Sequence, residues 1–283
     1  MDYILYVFVF LLGTIVGSFL NVVALRYNTG FSILGRSSCF SCGNKLSWWE
    51  LLPLVSFIYL GGKCSRCRSK ISWQYPLVEF ATGILFLLVF LKFRTFLGTP
   101  SYLLLTTYYL LIFCILIVIT VYDFKHKIIP NGLVYTFVIL SFLSAVFDFL
   151  NSSYSLLNTL NLLTGPILFV PFFLLWFFSQ GKWIGLGDGK LALGIGFLLG
   201  ISPGISAVVL AFWIGAAVSI VLLGLQKIFQ NRPVTLGRLS IIPRQLTIKS
   251  EIPFGPFLIL ATAIVFFWNI RVIDMNTLLN LFT

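Results

Sequence analysis

Eight apolar runs constrain this chain more than any other feature. They lie at roughly 3–25, 77–97, 101–121, 132–150, 160–179, 190–203, 205–226 and 254–271. A helix needs about 20 mostly apolar residues to cross the hydrocarbon core. Inside a bilayer every backbone N–H and C=O must find a partner within the protein, which leaves a helix as the form such runs take. The expected fold is an all-α polytopic membrane protein of about eight transmembrane helices. Charged residues make up only 10% of the chain, against about 25% in globular domains. That excludes a disordered chain and an ordinary soluble domain. The sixth run is short and glycine-rich, and merging it with the seventh would change the side on which the C-terminus lies. The first run has Asp2 as its only early charge and no small-residue cleavage site, so it reads as a retained helix rather than a signal peptide.

Basic residues orient the runs, because cytoplasmic loops hold an excess of Lys and Arg. With the N-terminus outside, the loops 26–76, 122–131, 180–190 and 227–251 are cytoplasmic and carry 16 of the 19 Lys and Arg. Lys92, Arg94 and Arg271 remain outside. The net charge of +11 is thus mostly a topology signal, and a nucleic-acid partner is not expected. The expected organisation is a first transmembrane helix (1–25), a cytoplasmic loop domain (26–76) and a transmembrane bundle (77–283).

The loop domain carries two C-x-x-C pairs, Cys39/Cys42 and Cys64/Cys67, with 21 residues between them. Two intervening residues let both sulfurs of a pair reach one tetrahedral ion, and the spacer returns the second pair to close the site. Gly43 follows one pair and Gly61-Gly62 precedes the other, as tight knuckle turns favour. Four thiolates leave no open position, so the expected ion is structural Zn2+. A redox pair is the minor alternative, and a cytoplasmic loop disfavours disulfides. Cys114 lies inside an apolar run and reads as a packed hydrophobe.

Acids are few, eight in all, and ionisable groups near membrane spans are functional candidates by default. Asp123 follows the third run, in Val121-Tyr-Asp-Phe-Lys-His-Lys. Asp188 precedes the sixth, in Gly185-Leu-Gly-Asp-Gly-Lys190. Although 64 residues lie between them, the topology gives both acids one depth on one side. Two carboxylates that meet cannot both ionise easily; one keeps a proton while the other activates water. Gly185 and Gly187 would let a substrate backbone approach, with Lys190 supporting the loop. The competing reading makes both acids interfacial anchors paired with Lys125, Lys127 and Lys190. Glu79, Glu50 and Glu251 either pair with basic loop residues or serve a substrate or methyl-donor site. Asp148 and Asp274 lie near external ends and read as ordinary interface residues. His126 is a loop residue beside Asp123, and with no second His or suitable Ser or Cys motif a triad does not form.

Taken together, these segments resemble the type IV prepilin peptidases, bacterial membrane aspartic proteases with a G-x-G-D motif. The resemblance runs through Gly17-Ser-Phe-Leu-Asn21, the paired C-x-x-C motifs, Ser72-Trp-Gln-Tyr-Pro-Leu-Val-Glu79, Asp123 with Ile129-Pro-Asn131, Gly185-Leu-Gly-Asp-Gly-Lys190 and Glu251-Ile-Pro-Phe-Gly-Pro256. It implies that Asp123 and Asp188 are the catalytic pair and that prepilins and pseudopilins are the substrates. Cleavage would fall after a basic leader ending in Gly, at the cytoplasmic face of the bacterial inner membrane. It also implies N-methylation of the new terminus with S-adenosylmethionine as donor. Phe40 stands where many members have Pro, Gln74 where Arg is common, and the 227–251 loop is longer than usual; none of these touches the catalytic pair. Two competing readings are a transporter and a zinc-organised membrane scaffold. Against the transporter, both acids lie at the bundle mouth rather than at the midplane, and no inverted repeat is visible.

Overall fold

The computed structural model describes residues 2–30, 32–96, 99–151, 156–228, 235–236, 239–240 and 252–272. Among the described residues the regular elements are helices, apart from two paired two-residue strands, Thr235–Leu236 and Leu239–Ser240, and two isolated β-bridges in the aqueous loop. In order the helices are α1 (Asp2–Arg26), α2 (Val55–Tyr59), α3 (Gln74–Phe93), α4 (Pro100–His126), α5 (Asn131–Asn151), α6 (Leu156–Ser179), α7 (Leu186–Leu199), α8 (Ile201–Ile228) and α9 (Gly255–Trp268). Six of them, α1, α3, α4, α5, α6 and α8, are long and apolar enough to cross a membrane. Large side chains such as Tyr3, Phe8, Leu104, Phe147 and Ile220 lie bare on their outer faces. A water-soluble surface does not collect them this way, whereas lipid covers them without cost.

The sixth and seventh runs do not divide as the sequence suggests. The break falls at Gly200, whose φ of +77° ends α7, and Asn161 Oδ1 accepts the N–H of Ile201 at 3.2 Å to start α8. At 14 residues, α7 spans about 21 Å and is too short to cross alone. Helix α9, also 14 residues, is likewise short of the expected 254–271 run. The count of eight therefore resolves into six full-length helices and two short ones.

The chain forms two compact units, Met1–Val121 with Val221–Ser250, and Tyr122–Ile220 with Glu251–Thr283. In the first, α1 and α3 run antiparallel in close contact, because Gly13 faces Gly83 and Phe86 while Gly17 faces Glu79 and Thr82. A Cβ at Gly17 would come within 2.8 Å of the Glu79 Cα. Small residues that let backbones approach are how helices pack where lipid removes the hydrophobic drive between them. The aqueous loop hangs between the ends of these two helices. The Arg26 guanidinium gathers its start, donating to the carbonyls of Ser32 (2.7 Å) and Gly35 (2.9 Å).

In the second unit α7 is the buried element, in contact with α5, α6 and α9. Its glycines explain the composition of the sixth run. A Cβ at Gly194 would strike the buried Phe137 ring of α5 at 2.4 Å, and one at Gly196 would meet the Thr164 carbonyl oxygen of α6 at 2.7 Å. A short helix is thus held among α5, α6 and α9.

Candidate active site and metal centre

Asp123 sits in the last turn of α4 with 4% of its surface exposed. The helix closes there because Lys127 adopts a left-handed φ of 54° and returns its N–H to the Asp123 carbonyl at 2.7 Å. Ile129 and Pro130 then lead directly into α5. The Asp123 carboxylate accepts the backbone N–H of Gly255, the first residue of α9. Pro256 follows, a residue suited to the first helical turn because its missing N–H is not needed there. A Cβ at position 255 would lie 2.7 Å from Asp123 Oδ2, so only glycine brings this amide so near. It is the functional group that sequence reading missed. The segment Glu251–Pro256 drew notice for its acid, but Glu251 lies outside the described residues. The usable signal was the Gly-Pro pair that marks a helix start.

Asp188 lies in the first turn of α7. Its carboxylate reaches back to the Gly185 N–H, one half of a capping box, with Gly185 as the N-cap in extended conformation. Burial and then the charge of Asp123 push the Asp188 carboxyl up to about 7. The two acids, distant in sequence, therefore lie close enough to feel one another. Asp188 stands at the N-terminus of α7, and the Asp123 carboxylate, from the end of α4, meets the N-terminus of α9, where aligned peptide dipoles favour negative charge.

The supporting residues keep their places with different reasons. Gly187 is not open toward a ligand on its Cβ side, since a Cβ there would be 3.0 Å from Ile129 Cβ; it seats α7 against the α4–α5 turn. Lys190 does not serve as an anchor for Asp188. Its Nζ donates to Asn131 Oδ1 at 2.9 Å and stands 4.8 Å from the Tyr135 ring centroid, tying α7 to the start of α5. His126 packs tilted against Tyr122, ring centroids 4.4 Å apart, one turn from Asp123.

The four cysteines converge as expected, with all four Sγ atoms within 4.8 Å of one another. Cys39 and Cys67 are 3.8 Å apart. Tetrahedral Zn2+ with bonds of about 2.3 Å sets its sulfurs about 3.8 Å apart, so the cluster fits that ion. The two knuckles are built alike. Cys39 N–H donates to Asn44 O and Gly43 N–H to Cys39 O, each at 2.9 Å; Cys64 N–H donates to Ser69 O at 2.9 Å and Arg68 N–H to Cys64 O at 3.1 Å. Bridges Ser38–Lys45 and Lys63–Lys70 flank them, a repeat that the sequence reading did not detect. The turn position of the second knuckle is Arg68, at φ 53°. Gly61 and Gly62 are not knuckle glycines; they terminate α2, donating to Ile58 O and Phe57 O.

Glu50 is occupied locally. Ser47 and Ser65 both donate hydroxyls to it, and they hold its carboxyl below the usual range. It pins the 3-10 turn Trp48–Leu51 to the second knuckle. Glu79 is buried on α3 and accepts the Leu54 N–H at 2.9 Å.

Comparison with known proteins follows the same division. Residues 11–93 match the bacterial peptidase A24 N-terminal domain, and residues 110–220 match the type IV leader peptidase family. A protein of Vibrio cholerae named prepilin leader peptidase/N-methyltransferase is 30% identical over 71% of this chain and 80% of its own length. Proteins of the same name from Pseudomonas aeruginosa and Bacillus subtilis are 29% and 28% identical, covering 92% and 94% of this chain and 89% and 95% of their own. No solved structure matches.

Proposed function

The chain belongs to the type IV leader peptidase family, and on that premise we propose that it removes the leader of prepilins and pseudopilins and then N-methylates the new terminus. It is a multi-pass membrane enzyme. In our reading it lies in the bacterial inner membrane, with Asp123 and Asp188 facing the cytoplasm beside the Lys- and Arg-rich loops. The observation that carries the peptidase reading is the meeting of these two acids at the N-termini of α7 and α9.

The pair holds one proton. Asp123, with the Gly255 amide as donor, carries the charge, and Asp188 carries the proton. A water between them gives a proton to the ionised acid as its oxygen attacks the scissile carbonyl. Asp188 donates to the developing oxyanion, and a proton then passes to the leaving amine. Neither a nucleophilic side chain nor a metal is needed. Lys190, held on Asn131 and Tyr135, fixes the loop that presents Asp188.

Cys39, Cys42, Cys64 and Cys67 would hold one structural Zn2+, which staples a loop too small for a core of its own. The methyl donor is S-adenosylmethionine, which supplies an electrophilic methyl group when bound. A precursor incubated with purified protein, with and without that donor, tests both activities by mass spectrometry. Loss of the leader mass that requires both aspartates supports the peptidase; an added methyl mass supports the transferase. An intact precursor with the wild type refutes the first, and a cleaved but unmethylated product refutes the second.

A further inference from the structure

The peptidase reading leaves one buried acid of the first unit unused. Glu79 is 7% exposed and accepts two neutral donors, the Leu54 N–H and the Ser18 hydroxyl. Among the described residues no cation faces it. A carboxylate taken out of water without a counter-charge is under-compensated. One turn along the α1–α3 seam, Asn21 is fully buried. Its amide nitrogen donates to the Gly17 and Tyr75 carbonyls, both at 3.3 Å, and those two acceptors fix which way the amide points. Its Oδ1 has no partner among the described residues. The seam therefore offers a carboxylate and a free carbonyl oxygen, and among the described residues it supplies no cation.

A groove adjoins this place at Leu54. It measures 680 Å3 and is lined by Leu54, Phe57, Ile71 and Trp73, with Lys63 and Lys70 also in its wall, a size suited to a small ligand or a chain end. Leu54 belongs both to the groove and to the Glu79 hydrogen bond. It has φ +61° and ψ −48°, and Val55 N–H closes a 2.6 Å bond to Pro53 O across it. That is a γ-turn of the strained hand, which a leucine adopts only when held there. An incoming donor that replaces the Leu54 N–H lets the turn relax.

We propose that Glu79 and Asn21 receive the N-terminal amine of a leaderless apolar peptide, the methyl acceptor of the second reaction. This rests on the methyl-transfer reading above. The groove walls suit an apolar first residue. An ammonium brings three N–H donors to the two acceptors, whereas a sulfonium centre brings none, so the site selects the acceptor rather than the reacting end of the donor. The ammonium gives one proton to the Glu79 carboxylate. Its lone pair then forms the N–C bond as the C–S bond of the sulfonium breaks. That electron pair stays on sulfur, the donor leaves as a neutral thioether, and the charge passes to the methylated amine.

The test uses the full-length protein in lipid nanodiscs and a fluorescent leaderless peptide, either with a free amine or N-acetylated, without methyl donor. The free amine should bind at least about tenfold more tightly than the acetylated peptide. Glu79→Gln should erase that preference, keep leader cleavage within about twofold and retain the zinc. Asn21→Leu should weaken it by less. Donor binding should be unchanged in both. An undiminished preference in Glu79→Gln overturns the proposal. So does loss of donor binding instead of peptide binding, or joint loss of zinc and cleavage, which would make Glu79 structural. A wild type that shows the amine preference but no methylation would sink the methyl-transfer reading and leave an amine-binding site.

Discussion

The two units bury their acids in opposite ways. In the second, Asp123 and Asp188 are brought together at two helix N-termini; in the first, Glu79 stands among neutral donors on a helix–helix seam. Both depend on glycine, at Gly255 and Gly187 in one and Gly17 in the other. The difference lies in what completes each site. A pair of acids can resolve its own repulsion by sharing a proton, and so holds the elements of water activation within itself. A lone buried acid must be neutralised by a proton or completed by a cation from outside. The arrangement suits a peptidase to the second unit and an amine receptor to the first.

The largest effect that would break this comparison is loss of one acid of the pair. Asp123→Asn or Asp188→Asn should lower leader cleavage by about 10^3-fold, while a leaderless peptide supplied directly is still methylated. Mass spectrometry of both products checks this. If either variant cuts normally, the pair is not the machinery, and the two units no longer differ as argued.

The metal comes next. Cys64→Ser removes the one buried ligand of the four, and wild-type protein should hold one zinc per chain where the variant holds almost none. A structural zinc in small domains supplies about 10–16 kcal/mol of apparent folding energy, so the 38–70 loop should lose its knuckles and methyl transfer should fall with it. Cleavage should decline less than methylation. Metal analysis with both assays separates the two; equal loss of both activities would show that the units act as one.

A smaller effect is the response to pH. Asp188 is raised to about 7 by burial and by Asp123. The acid holds its proton below that value and loses it above, so cleavage should fall about tenfold per unit as pH rises beyond 7. Methylation of the leaderless peptide does not draw on Asp188, so its profile should not follow that fall. Parallel profiles for the two reactions would place them on one set of groups.

Much of this was legible from the sequence. Length and hydropathy of the runs located the six full-length helices, because a bilayer leaves the backbone no other choice. Two C-x-x-C pairs fixed the metal cluster through ligand spacing. A shared depth and side made Asp123 and Asp188 candidates for one site, with lysine-paired anchors as the alternative. What was not legible lies in backbone geometry. No residue type announces that Leu54 will hold φ +61°, or that the second knuckle turns at Arg68 while Gly61 and Gly62 end a helix. The contribution of Gly255 is an amide, which every residue has; only its approach to Asp123 makes it special. The glycines of the sixth run looked like a weak span. They are instead contact points for Phe137 and Thr164, visible only once α5 and α6 lie against them.

That last point yields the smallest effect and the most direct check on packing. Gly196→Ala puts a Cβ 2.7 Å from the Thr164 carbonyl oxygen, a backbone atom that cannot swing away. The strain should cost about 1–3 kcal/mol, read as a lower unfolding midpoint in detergent and a modest loss of cleavage, because α7 carries Asp188. Gly17→Ala should cost a similar amount on the α1–α3 seam, with methylation rather than cleavage reduced. Gly224→Ala on α8 meets nothing within 4 Å among the described residues and should leave the stability unchanged or raise it by up to about 1 kcal/mol, from helix propensity alone. If all three alanines behave alike, glycine is serving the chain as flexibility rather than as contact, and the close seams that seat both buried acids lose their explanation.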